Sequence, residues 1–314
     1  MTLHHSSGRW QLGLSLALFT ASLWGVLPIA LKLVLQAVDV YTVTWFRFLI
    51  SFSLLIAFLA ARGRLSELQK LRTARLELLA IATLGLALNY LLFMQGLHQT
   101  SPTNSQVIIQ LAPIFLALGA IFIFKERYTL KQWIGMGLLT LGLSLFFEDK
   151  LRLLVTTSNQ YVIGSGLLVL AGLVWAFYAL AQKQLLQHLS SQVIMLVIYG
   201  GSALLFAPAA SPETLLQLTP TQWGMLLFSG FNTFLAYGSF AEALDHWDAS
   251  RVSAVLSLTP IITLIIVGVG AAIAPSFVES EPITGLGILG AIFVVLGSWA
   301  IALGQRVSKP KPQG

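Results

Sequence analysis

The chain has 314 residues, 56% of them hydrophobic and only 10% charged, with a formal net charge of +6. Soluble domains carry about a quarter charged residues, so this composition excludes an ordinary soluble fold and marks an integral membrane protein. Cysteine is absent, which removes disulfides, thiolate chemistry and Cys-ligated metals and leaves the redox compartment open.

Apolar segments follow one another along the chain at 12–35, 41–60, 76–97, 104–124, 131–148, 161–184, 192–209, 221–243, 250–273 and 283–304. Each approaches the length that spans about 30 Å of hydrocarbon at about 1.5 Å per helical residue. The predicted fold class is therefore all-α, with ten transmembrane helices. Continuous apolar runs exclude an outer-membrane barrel, whose strands alternate with period two. The first run lacks a short apolar core followed by a small-residue cleavage site, so it is read as a retained helix. The connections 61–75 and 210–220 are too short for a soluble domain with its own core. Activity is expected among the helices. After span seven, Ser211 is placed to cap a short surface helix beginning Pro212-Glu213.

Lys and Arg fix the expected orientation. With the N-terminus inside, cytoplasmic segments collect Arg9, Arg62, Arg64, Lys70, Arg72, Arg75, Lys125, Arg127, Lys131, Lys183, Arg251, Arg306, Lys309 and Lys311, fourteen of 18. The opposite loops hold Lys150 and Arg152. Cytoplasmic loops carry such an excess, which predicts both termini inside the cell at the inner (plasma) membrane. The net positive charge then meets anionic lipid. The basic stretch ARGRLSELQKLRTAR simply joins spans two and three, and no nucleic-acid partner is expected.

The chain is also a duplication. LGLALNYLLFMQGLHQTSPTNSQVIIQLAPI at 84–114 reappears at 231–261 as FNTFLAYGSFAEALDHWDASRVSAVLSLTPI, matching at Tyr90/Tyr237, Phe93/Phe240, Leu97/Leu244, Leu111/Leu258, Pro113/Pro260 and Ile114/Ile261. A register about four residues away pairs Trp24 with Trp175, Lys32 with Lys183 and Leu35 with Leu186. Gly135 and Gly137 match Gly285 and Gly287, giving both end helices a small-residue face for close packing. Internal repeats fix architecture. Five spans per half invert the second copy, so Lys32 falls near the outer end of span one and Lys183 near the inner end of span six. Inverted repeats of this kind place substrate sites at mid-bilayer, at the interface between copies. The expected units are 1–148 and 161–304, with a cytoplasmic tail at 305–314.

The runs ASLWGVLPIALKLVL, WFRFLIS and GLHQTSPTNSQVIIQLAPIFLALGAIFIFKERYTLKQWIGMGLLTLG resemble the EamA-type half-repeat of the drug/metabolite transporter superfamily. The second copy is ALDHWDASRVSAVLSLTPIITLIIVGVGAAIAPSFVESEPITGLGILGAIFVVLGSW. The resemblance covers about 14–304. It implies ten helices in inverted repeats, cytoplasmic termini and export of amino acids or other small metabolites. One departure is APSFVESEP in place of FKER, where Glu279 or Glu281 stands for Glu126.

Polar side chains within spans should face the bundle interior, because hydrocarbon penalises them. Asn89, Tyr90 and Gln95 lie on span three. Gln106 and Gln110 share one face of span four, and span nine repeats the pattern with Ser253 and Ser257. These groups either bind substrate or join helices. Pro113 and Pro260 each free a carbonyl and kink their helix, as paired gates or as plain packing features. Trp24 and Trp175, helped by Tyr178, Tyr90 and Tyr237, build either an aromatic pocket wall or a packing contact around Gly25 and Ala176. Arg47 is a charge inside span two, and such a charge is functional by default. It attracts a substrate carboxylate or holds Glu148 and Asp149. Lys32 snorkels to the outer headgroups.

No acid falls at mid-span, so proton coupling is not written in the sequence, and Glu242, His98 and His246 stay open as carriers, both histidines at loop edges. A membrane-embedded enzyme is the main rival, and a channel-like subunit the next. Neither HExxH nor a clustered acid–histidine set occurs. Gly201-Ser202 resembles a nucleophile turn without a histidine at its depth. The reading is a non-enzymatic, monomeric secondary transporter for a small-molecule substrate, without cofactor or metal.

Overall fold

The computed structural model describes residues 6–100, 105, 108–126, 128–146, 148, 159–263, 265–266 and 284–302, and of Lys32 and Asn159 the backbone alone. Gln106, Asp149, Lys150, Arg152, Glu279, Glu281 and the tail 305–314 lie outside the described residues. Those described form helices, with no strand among them. The α-helices are α1 (Trp10–Val34), α2 (Val40–Ala61), α3 (Leu76–Gln99), α4 (Leu111–Ile123), α5 (Leu130–Phe146), α6 (Asn159–Leu185), α7 (Ser191–Phe206), α8 (Pro220–His246), α9 (Ala249–Leu256) and α10 (Gly285–Ala302). Six of them, α1, α2, α3, α6, α7 and α10, are long and apolar enough to cross a membrane. The chain is a multi-pass membrane protein. The apolar helices α4, α5 and Ala249–Thr263 are shorter, and α8 is long but carries Asn232, Thr233, Glu242 and Asp245.

Local chemistry sets the helix ends. Asp39 accepts from the backbone N–H groups of Tyr41 and Thr42 at the start of α2, and Thr219 and Gln222 form a reciprocal capping box on α8 with Pro220 at its first position. Gly63, at φ +65°, supplies the left-handed turn after α2. The expected cap at Ser211 is absent: Pro212–Gln217 is a 3₁₀ helix and the Ser211 side chain makes no cap bond. Its backbone N–H instead donates to Thr42 Oγ1 at 2.8 Å, which pins the segment to α2.

Spans four and nine are interrupted at equivalent places. Gln110 (φ −66°, ψ −9°) forms a turn before α4, and Ser257 (φ −66°, ψ −8°) ends α9 before helix resumes at 259–263. Each turn lies three residues before a proline, Pro113 or Pro260. A proline lacks an N–H and its ring crowds the carbonyl four residues back, so each helix loosens there. Leu258 N–H donates to Val255 O, a tighter three-residue step.

Packing exchanges the two halves. α3 packs on α6 and α1 on α8; α4 packs on α6 and α1 on α9; α2 meets α7, and α5 meets α10. Hydrogen bonds repeat the exchange: Asn89 Nδ2 donates to Ala171 O at 2.9 Å, and Thr20 Oγ1 donates to Ala236 O at 3.2 Å. Shifting Ala236 back by 147 gives Asn89, and shifting Ala171 back by 151 gives Thr20. The close approach of Gly13 to Trp247 is likewise mirrored by Gly164 against Thr100. The equivalent helices α5 and α10 run antiparallel, since Gly135 lies on Gly297 while Gly142 lies on Gly290. Equivalent helices that run antiparallel are related by a two-fold axis perpendicular to them.

The glycine match expected at 135/285 and 137/287 is replaced by another. Gly137 and Gly285 face open space, whereas a Cβ on Gly142 would lie 2.6 Å from Val294 N and one on Gly297 would lie 2.6 Å from Gly135 O. The pairs Gly135/Gly142 and Gly290/Gly297 are each seven residues apart and so share a helix face. They let two backbones touch, as small residues do in membrane bundles. Gly142→Val should therefore destabilise the detergent-purified protein by about 1–3 kcal/mol, while Gly137→Ala should leave its melting temperature unchanged or raise it. Equal melting temperatures for both variants would contradict the α5–α10 contact.

Candidate functional site

A cavity of about 120 Å³ lies where the two halves meet, with room for several waters or part of a small ligand. The C-terminal halves of α1 and α3 supply Trp24, Leu27, Pro28, Leu31, Asn89, Tyr90, Phe93 and Met94. α2 contributes Arg47, the interrupted span four contributes Ile109, Gln110, Ala112 and Pro113, and the second half adds Trp175, Tyr237, Leu256 and Thr259. Much of this wall is duplicated: Trp24/Trp175, Tyr90/Tyr237, Ile109/Leu256 and Ala112/Thr259 are equivalent positions. The repeat axis therefore passes through the cavity.

Aromatic rings form its floor. Trp24 meets Trp175 edge-on at 5.8 Å and Tyr237 at 5.1 Å between centroids, and Tyr90 meets Tyr237 at 5.8 Å. Such geometries are those that ring quadrupoles favour. Polar groups are few. Asn89 spends its amide N–H on Ala171 O, and Gln110 is 4% exposed with its Oε1 lacking a hydrogen-bond partner among the described residues. Arg47, 3% exposed, donates from Nε to Thr233 Oγ1 at 3.0 Å and from Nη2 to Tyr90 Oη at 3.2 Å. It makes no ion pair with Glu148 or any other described carboxylate.

Of the residues singled out in the sequence, Trp24, Asn89, Tyr90, Gln110, Pro113, Trp175, Tyr237 and Arg47 line the cavity. Tyr178 is fully buried behind it, 6.3 Å from Trp175 and 6.1 Å from Tyr237. Ser253 and Ser257 turn their hydroxyls onto the helix backbone, to Ser250 O and Ser253 O, and Pro260 stands outside the wall. Gln106 lies outside the described residues. Phe93, Met94, Ile109 and Thr259 were not foreseen; the first three are apolar residues in apolar helices, which carry no mark of which side they face. Equivalence to Ala112, which precedes Pro113, is the signal that singles out Thr259.

The bundle closes at its other end. Lys125 takes a left-handed conformation (φ 52°) after α4 and turns Glu126 inward. There Lys183 Nζ lies 3.1 Å from Glu126 Oε1, and the backbone N–H groups of Ala249 and Ser250 donate to the same carboxylate. Glu126 thus ties the α4–α5 link to α6 and caps α9. Lys183 is therefore a buried, neutralised cation rather than an exposed loop charge. His246, expected at a solvated edge, is also buried, with Ser7 Oγ 2.9 Å from Nδ1. Outside the bundle, Glu67 accepts from Ser190 Oγ and so holds the 3₁₀ segment Leu65–Thr73 to α7. The hydrogen bond from Arg64 keeps its carboxyl below the usual range. Ser202 is buried with its Oγ unpartnered among the described residues, so no base activates it there. Among the described residues no group of His, Asp and Glu could hold a metal.

The model of the EamA-like transporter family matches residues 11–147 and again 162–303. The chain is 40% identical over 297 residues to the uncharacterized inner membrane transporter YhbE of Escherichia coli (strain K12), covering 94% of this chain and 92% of that one. It is 38% identical over 296 residues to an uncharacterized transporter of Haemophilus influenzae, covering 94% and 96%. A probable amino-acid metabolite efflux pump of Salmonella typhimurium is 26% identical over 220 residues, 65% of this chain and 69% of that one. A solved crystal structure superposes with a TM-score of 0.72 over 93% of this chain and 97% of the other at 18% identity, which speaks for the fold alone. Two family matches that together span nearly the whole chain, falling on the two halves whose packing is exchanged by the two-fold axis, make this protein a member of the EamA-like transporter family.

Proposed function

We propose that this protein is a secondary transporter that exports a small metabolite such as an amino acid across the inner membrane by alternating access. Ten transmembrane helices in two inverted five-helix repeats carry the substrate, and both termini face the cytoplasm. The observation that carries this reading is the cavity on the repeat axis, with the Glu126–Lys183 pair joining the helices beyond its lining. Inverted repeats alternate by rocking one half against the other around a fixed central site. In the proposed orientation the Glu126 end is cytoplasmic and the cavity lies toward the outside. The name of the Salmonella relative supports an amino-acid-type cargo and the outward direction. A monomer fits this reading, since described residues of both halves of one chain line the cavity. A family of transporters and the unactivated Ser202 weigh for transport over the rival enzyme.

Within this reading Trp24, Tyr90, Trp175 and Tyr237 hold the body of the substrate, Asn89, Gln106 and Gln110 offer hydrogen bonds, and Tyr178, Ser253 and Ser257 support the wall from behind. Pro113 and Pro260 gate the path, because the helix breaks beside them let the halves of spans four and nine move separately.

Single cysteines at Lys70 and Leu216 test the topology in a chain that has no cysteine of its own. Membrane-impermeant maleimide should label Leu216→Cys from the outside and Lys70→Cys only after access to the cytoplasm; the reverse pattern would overturn the orientation. Trp24→Ala should raise the apparent KM for export about tenfold, equivalent to about 1.4 kcal/mol, with membrane insertion retained. The double variant Pro113→Ala and Pro260→Ala should insert normally yet slow turnover in proteoliposomes. Wild-type turnover by that double variant would remove the gates.

A further inference from the structure

Arg47 carries a charge that no carboxylate among the described residues neutralises. A guanidinium stays protonated in proteins, and this one is nearly wholly buried at the cavity wall. Its partners are neutral: Thr233 Oγ1, Tyr90 Oη and the Tyr90 ring, whose centroid is 4.6 Å from Cζ. Each hydroxyl commits its own hydrogen elsewhere. Tyr90 donates to Thr233 Oγ1 at 3.4 Å and Thr233 donates to Ser229 O at 2.9 Å. Both therefore turn oxygen lone pairs toward Arg47, which fixes the guanidinium and leaves its charge in place. Nη1 takes no part in these bonds.

The repeat supplies an independent argument. Ile50 packs on Gly230 and Thr83 on Gly201 as mirror contacts, which relates α2 to α7 by a shift of 151. The residue equivalent to Arg47 is then Ile198, buried and apolar. The second half thus builds the same position without a cation. A lone buried charge is costly where no counter-ion meets it, and beside a cavity it raises the local concentration of ions of opposite sign.

We propose that Arg47 is the anion-binding residue of the cavity and that the substrate is a monocarboxylate with an aromatic or apolar body. This rests on the transport reading above and adds the charge class of the cargo. One cation matches one anionic group, and Arg presents its N–H groups in the fork that a carboxylate accepts. The tryptophan and tyrosine faces take the rest of the molecule. Gln110, whose Oε1 on the same wall has no partner among the described residues, accepts an N–H when the cargo is an amino acid. Amphipathic cations are repelled.

Three probes with one body separate the charges: 3-phenylpropionate, 3-phenylpropionamide and 3-phenylpropylamine. Binding to the purified full-length protein at neutral pH, followed by quenching of tryptophan fluorescence, should favour the acid at least tenfold over the amide and more over the amine. Arg47→Gln should bring acid and amide within twofold, and Arg47→Lys should restore part of the preference. If either variant fails to fold, the ranking of the three probes on the wild-type protein decides alone. Equal binding of all three, or no binding of the acid at millimolar concentration, overturns the proposal. Efflux of the same probes from proteoliposomes keeps the two readings apart. Transport of amide and acid at equal rates sinks the anion site and leaves the transporter, whereas charge-selective binding without movement of any probe sinks the transporter and leaves the site.

Discussion

Two symmetry-related hydrogen bonds, from Thr20 to Ala236 O and from Asn89 to Ala171 O, hold α1 against α8 and α3 against α6 where the cavity begins. Inside a bilayer a side chain cannot exchange such a partner for water, and bonds of this kind contribute about 0.6 kcal/mol on average, up to about 2. Their value here is positional. They register the two halves so that Trp24 meets Trp175 and Tyr90 meets Tyr237 across the axis. Everything on the cavity wall depends on that register.

The architecture is duplicated, but the chemistry is not. Rings, glycine contacts and helix breaks recur in both copies, because packing and bending serve the fold. Arg47 has Ile198 as its equivalent and Gln110 has Ser257, whose hydroxyl is spent on its own helix. Asymmetric polar groups at a symmetric site lie where duplication has been followed by specialisation. At the closed end Glu126 gathers Lys183 and the first N–H groups of α9 into one cluster that joins three parts of the chain.

Much of this was legible in the sequence. The match of 84–114 with 231–261 located the duplicated helices and the paired prolines, and the Trp24/Trp175 pairing located the axis. The start of α8 fell within a residue of the apolar run read at 221–243, whereas the cap read at Ser211 did not form. What stayed hidden depends on contact between distant parts. Gly142 meets Gly290 and Gly135 meets Gly297 only because α5 and α10 run antiparallel, a relation that an alignment of Gly135 with Gly285 obscures. His246 is buried because Ser7 folds over it, and nothing in the neighbourhood of either residue announces that. Thr233 is one of two threonines on a long helix, and its role emerges only once Arg47 reaches it from α2.

The central claim is that the Glu126 end opens and closes as substrate moves. Glu126→Cys together with Lys183→Cys, joined by a reducible thiol cross-linker in proteoliposomes, would hold that end shut. The account predicts that the linked protein binds substrate from the outside but stops transporting it, and that reduction returns transport to the rate of the unlinked double variant. Undiminished transport by the linked protein would contradict it.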